Sequence, residues 1–76
     1  MLTWWRVGRL SIGDMTREQL LAEAAAEERK SNGHLKDAKL YKAIAKPMHP
    51  GQLVRDYWES PEAIHMLRDE IWKQSP

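Results

Sequence analysis

No cysteine occurs in this 76-residue chain, so neither a disulfide bond nor a thiolate zinc site can stabilise it. The hydrophobic core of a domain this short contributes only about 3–5 kcal/mol of net stability. Small domains that lack disulfides and metals rely on efficient helix packing or on association with a partner. We therefore expect a single small domain that is either a tight helical assembly or a protein stabilised by association.

Two helices are predicted in the first two thirds of the chain. Thr16 and Gln19 form a capping-box pattern, which predicts a helix over residues 17–31 that ends at Asn32-Gly33. A second helix is predicted over residues 35–45, because Pro47 prevents it from continuing. The apolar residues of this second helix share one side, and its lysines lie mostly on the other.

In the last third of the chain, the sequence predicts a short helix over residues 52–59 and a longer helix after it. Ser60 is a good N-cap and Pro61 fits the first helical position, so the last helix is expected to run from there to about residue 73. An apolar stripe marks its buried side, with members at helical spacing and two flanking residues that widen it. The stripe consists of Ile64, Leu67 and Ile71, widened by Met66 and Trp72.

The first fourteen residues differ from the rest, since Gly8 and Gly13 discourage a helix there. We expect a short strand or an extended arm over residues 1–14 and a single helical domain over residues 15–76. The predicted fold class is all-α: three or four short helices in a compact bundle with an extended N-terminal arm.

Acidic and basic residues are concentrated in different stretches of the chain, although the net charge is only +1. Residues 16–29 carry four glutamates against two arginines, residues 30–49 carry five lysines against one aspartate, and residues 50–76 carry five acidic against three basic residues. A basic helix between two acidic ones favours pairing within the fold or between subunits, so we expect a homo-oligomer. No apolar run approaches the roughly 20 residues of a membrane span, and we expect a cytoplasmic protein without membrane contact.

No catalytic constellation is visible, and the chain is expected to be neither an enzyme nor a cofactor-binding protein. No serine stands in a G-x-S-x-G context, and the four glycines are too far apart for a phosphate loop. Glu62 and His65 form an E-x-x-H pattern, with Asp69 one turn further on. Helical metal sites of that type need a second such motif, so we expect an ordinary helix surface with a His65–Asp69 contact and no metal.

Two groups of residues are candidate binding sites. The lysine face of the second helix could contact phosphates or an acidic protein. The adjacent tryptophans of the arm cannot both face the core if the arm is a strand, so one of them is a candidate interface anchor. The candidates are Lys36, Lys39, Lys42 and Lys46 on the helix, and Trp4, Trp5, Arg6 and Arg9 on the arm.

These patterns predict a small non-enzymatic protein–protein interaction module, such as an adaptor, an inhibitor or a regulatory subunit. The alternative is a nucleic-acid-binding accessory protein that uses the lysine face of residues 36–46, with weak binding because the net charge is near zero. A structural subunit whose arm docks onto a neighbouring protein is a third possibility. The sequence does not identify the partner.

Overall fold

The computed structural model describes residues 2–30 and 35–74, and within these ranges four helices follow a short two-stranded hairpin. The predicted all-α bundle with an N-terminal extended arm is confirmed. The strands are β1 (Arg6–Val7) and β2 (Leu10–Ser11), and a 3₁₀ turn follows at Ile12–Asp14. The helices are α1 (Arg17–Arg29), α2 (Leu35–Ala45), α3 (Val54–Trp58) and α4 (Pro61–Gln74).

The helix boundaries follow the start and stop signals of the sequence. Thr16 Oγ1 accepts a hydrogen bond from the Gln19 backbone N–H at 3.2 Å, and Gln19 Oε1 accepts one from the Thr16 N–H at 2.8 Å, which completes the capping box. The structure shows α1 as far as Arg29, and the predicted stop at Asn32-Gly33 lies outside the described residues. Pro61 is the first residue of α4, as its preference for that position predicts.

The arm is a hairpin with a two-residue turn at Gly8 and Arg9. The strands pair antiparallel, with Val7 opposite Leu10. Gly8 has a φ of 63°, a left-handed conformation that residues with a Cβ rarely adopt, so glycine suits this turn. After the turn, the Ile12 N–H donates to the Trp5 carbonyl at 2.8 Å, and the Ile12 side chain lies in the core.

One hydrophobic core joins all four helices and the segment before α1. Ile12 is completely buried and Met15 almost completely, so the residues that precede α1 share their core with the helices. The other buried apolar residues of the cluster are Leu20, Ala24, Ala38, Leu40, Tyr41, Ile44, Ala45, Met48, Val54, Ile64 and Ile71. Burial of such side chains is the main favourable contribution to the stability of a domain this small.

Backbone hydrogen bonds join the start of α1 to the start of α3. The Arg17 N–H donates to the Gln52 carbonyl at 3.0 Å, and the Val54 N–H donates to the Met15 carbonyl at 2.9 Å. Glu18 adds a side-chain contact, since its Oε1 accepts from the Gly51 N–H at 2.8 Å. The break between α2 and α3 is therefore held against α1.

The apolar stripe of α4 is narrower than the sequence predicts. Ile64 and Ile71 are buried, whereas Leu67 is only half-buried. The expectation that Met66 widens the stripe is wrong, because Met66 is 70% exposed. Successive helical residues are about 100° apart, so a residue two positions after Ile64 points nearly to the opposite side.

Candidate functional site

A shallow groove of about 350 Å³ lies where α1 and α2 meet. We call it the α2 groove, and its lining residues are Glu28, Leu35, Ala38, Lys39 and Lys42. Ala38 is buried and Leu35 is 59% exposed, so apolar side chains form part of the wall. The lining also includes two ammonium groups and one carboxylate, which makes the groove amphipathic.

The groove exists because Leu35 lies on the lysine side of α2. Leu35 precedes Lys39 by four residues and Lys42 by seven, a spacing that places all three on one helix face. The buried residues Leu40 and Ile44 occupy the other side of the helix. The spacing of these three residues is visible in the sequence. The positions of the lysines alone did not show that Leu35 is exposed on the same face.

The four candidate lysines have different environments. Lys42 forms an ion pair with Glu28 of α1, and the Lys36 Nζ lies 5.8 Å from the centre of the Trp72 ring. Lys39 and Lys46 are exposed, and within the described residues neither of them forms an ion pair. Half of the predicted cationic face is therefore engaged inside the molecule.

The two candidate tryptophans of the arm are both half-buried and pack against the core. Trp4 covers Gly13, where a Cβ would lie 3.0 Å from the indole ring. Trp5 packs edge-on against His65 of α4, with ring centres 5.2 Å apart. The expectation that a strand would leave one of the two without a core contact does not apply, because both precede β1 and each contacts a different part of the fold.

A row of alternating aromatic and cationic side chains attaches the arm to α4 and α4 to α2. The Arg68 guanidinium carbon lies 5.7 Å from the centre of the Trp5 ring and 5.2 Å from that of Trp72, which is in turn close to Lys36. Cations attract the faces of aromatic rings by about 0.5–2 kcal/mol per contact. This row, which the sequence did not predict, connects Trp5, Arg68, Trp72 and Lys36.

The two candidate arginines of the arm are exposed. The guanidinium of Arg6 donates to the Arg9 carbonyl at 2.8 Å, which closes the hairpin turn. The nearby Arg55 of α3 pairs with Asp14 and donates from Nε to the Gly13 carbonyl at 3.2 Å. Of the two arginines of the arm, Arg6 therefore uses its guanidinium within the hairpin, and Arg9 contributes its backbone carbonyl to that contact.

His65 does not lie on the solvated surface that the sequence predicts. Its ring is half-buried against Trp5, and its Nε2 lies 3.3 Å from the Thr3 carbonyl oxygen. His65 therefore contacts the arm, whereas Glu62 of the same pattern is exposed. Among the described residues, no group of three or more histidines, aspartates or glutamates is arranged to hold a metal ion.

Tyr41 of α2 is buried, and its environment shifts its acid–base behaviour. Burial is the largest cause, and Asp37, Glu27 and Glu23 add to it, so that the pKa of Tyr41 rises from 10.0 to about 12. Tyr41 is buried in the core and does not line the α2 groove. The shift reflects packing and indicates no chemistry at the candidate site.

Comparisons with protein-family models, curated proteins and solved structures give no match to this chain. In the described part of the chain, no helix is both long and apolar enough to cross a membrane.

Proposed function

We propose that this protein is a small non-enzymatic protein-binding module, of the adaptor, inhibitor or regulatory-subunit type, that acts in the cytoplasm. Its docking surface is the α2 groove. Its partner is an acidic protein segment that places an apolar side chain against Leu35 and carboxylates beside Lys39 and Lys46. The observation that carries the proposal is a 59% exposed leucine on the same helix face as two lysines that have no ion pair within the described residues.

The composition of the groove supports a protein partner. Protein interfaces have an apolar centre surrounded by a polar rim, and the α2 groove combines Leu35 and Ala38 with charged side chains. The rim charges select the partner and raise the association rate more than the affinity. Lys42 is paired with Glu28 at the edge of the groove. Lys39 and Lys46 are the lysines that remain to contact the partner.

The arm is a less suitable docking surface. Trp4 packs on Gly13, and Trp5 contacts His65 and Arg68 of the same chain. A partner that recruited either indole would have to break these contacts first, and that cost would weaken its binding.

The alternative of nucleic-acid binding has less support. A phosphate-binding face requires several free cations, and here Lys42 is paired with Glu28 while Lys36 lies over Trp72. Fluorescence anisotropy with labelled single- and double-stranded DNA tests this alternative. Tight binding at physiological salt, with a steep loss of affinity as salt rises, would favour nucleic acid over a protein partner.

A displayed random-peptide library tests the proposal, with the immobilised full chain as bait. We expect the recovered peptides to combine at least two carboxylates with one large apolar residue. The Leu35→Ala/Lys39→Ala variant should lower their affinity at least about tenfold, because both the apolar contact and the charge contact are lost. Both positions are exposed, so circular dichroism should show an unchanged fold.

The matched control is the Arg9→Ala/Leu10→Ala variant, which removes an exposed apolar residue and an exposed cation from the hairpin instead. Its affinity for the selected peptides should equal that of the wild type. Recovery of peptides without carboxylates would contradict the proposal, and so would equal losses in both variants.

A further inference from the structure

The outer surface of α4 carries an exposed methionine surrounded by charge of the opposite sign to that of the α2 groove. Met66 is 70% exposed, with Glu62 four residues before it and Glu70 four residues after it. We call this surface the α4 outer face, and it comprises Glu62, Met66, Asp69, Glu70 and Lys73, all exposed. Three carboxylates against one ammonium group make it acidic, and within the described residues none of these side chains forms an ion pair.

The α4 outer face and the α2 groove complement each other. Leu35 and Met66 are the two most exposed large apolar residues in the described part of the chain. Leu35 has Lys39 one turn away, and Met66 has Glu62 and Glu70 one turn away on either side. Each face therefore offers an apolar anchor to the other, together with the charge sign that the other lacks.

We propose that a second copy of this chain occupies the α2 groove, and that the two copies form a two-fold dimer. The α2 groove of each copy contacts the α4 outer face of the other, so both faces are used twice. In a closed two-fold interface residue i contacts residue j and j contacts i, so each of the two complementary faces would contact its counterpart on the other copy. This inference rests on the proposed function, because it names the protein that enters the docking surface.

The dimer is expected to be weak and sensitive to salt. We expect two helix faces to form an interface at the low end of the size range of specific complexes, and we expect a dissociation constant between about 1 µM and 1 mM. Its charges lie at the rim, where they are screened over about 8–10 Å at physiological salt. A rise in salt concentration should therefore weaken association without unfolding the chain.

Charge reversal and rescue test the inference by sedimentation equilibrium. One variant carries Lys39→Glu and Lys46→Glu, which avoids the internally engaged Lys36 and Lys42. The other carries Asp69→Lys and Glu70→Lys, near the carboxyl end of α4, where the helix dipole favours cations. We expect each variant alone to dimerise at least about tenfold more weakly than the wild type, because like charges then meet. An equimolar mixture of the two should recover the wild-type affinity, since one of its two contacts is restored with reversed signs and the other is native.

Circular dichroism of each variant checks the fold, and an Arg9→Glu variant, which reverses an exposed charge on the hairpin instead of on either helix face, serves as the control. The control should dimerise like the wild type. A wild-type chain that stays monomeric at about 1 mM would overturn the inference, as would a mixture that shows no recovery. A monomer that still binds library peptides through Leu35 and Lys39 would leave the proposed function standing. A monomer that binds no such peptide would overturn both.

Discussion

Ile64→Ala tests whether the buried side of α4 supplies the core. Ile64 is completely buried, and truncation of such a side chain costs about 2–5 kcal/mol through lost burial and the cavity that remains. A domain of this length has only about 3–5 kcal/mol of net stability. The variant should therefore be substantially unfolded at room temperature, or should melt at least about 8 °C below the wild type.

Two further variants on the same helix make the test quantitative. Leu67 is half-buried, so Leu67→Ala should cost less than Ile64→Ala, about 1–3 kcal/mol. Met66 is 70% exposed, so Met66→Ala should change the stability by no more than about 0.5 kcal/mol. Thermal and urea denaturation followed by circular dichroism would measure all three. The assignment of the core face would be refuted if Met66→Ala destabilised the protein as much as Ile64→Ala.

Three other predictions concern the arm and α2. Gly13→Ala should cost about 1–3 kcal/mol in urea denaturation, because the added Cβ would lie 3.0 Å from the Trp4 ring; an unchanged midpoint would show that the ring moves freely. Arg68→Ala removes the cation between Trp5 and Trp72, so amide hydrogen exchange in the hairpin should accelerate while exchange in α1 stays the same. Burial raises the pKa of Tyr41 to about 12, so the unfolded chain releases the Tyr41 hydroxyl proton at a lower pH than the folded chain does. The contribution of Tyr41 to the free energy of unfolding is therefore intact below pH 10 and is lost between about pH 10 and 12. Over that interval the wild type should lose more stability than Tyr41→Phe, and parallel pH profiles for the two proteins would contradict the shift.

The helices of this protein could be predicted because their signals are local. Thr16 and Gln19 cap α1 through contacts only three residues apart, and Pro61 starts α4 by its own fixed backbone angle. Gly8 indicated that the arm is not helical, and it occupies the hairpin turn. Each of these outcomes depends on residues that are neighbours in the sequence.

The docking of the arm could not be predicted, because it joins residues far apart in the chain. Thr3 and Trp5 contact His65, some sixty positions away, and Arg68 completes the attachment. For the same reason the E-x-x-H segment was interpreted as a solvated helix surface. The sequence shows which residues share a helix face, but not which other element covers that face.

The candidate site was only partly visible in the sequence. The sequence predicted that the lysines of α2 lie mostly on one side of the helix, but the pairing of Lys42 with Glu28 and of Lys36 with Trp72 depends on how α1 and α4 pack against α2. The exposure of Leu35 and Met66 follows from helical phase once the buried residues of each helix are known. The two apolar anchors therefore became apparent only from the assembled structure.

Chemical-shift mapping of the ¹⁵N-labelled protein, titrated with an acidic peptide recovered from the library, most directly tests whether the α2 groove is the docking surface. We expect the largest shift changes at the backbone amides of Leu35, Ala38, Lys39 and Lys42, with little change at Trp4 and Trp5. Shift changes concentrated on the arm, with the groove amides unmoved, would contradict the assignment of the α2 groove as the docking surface.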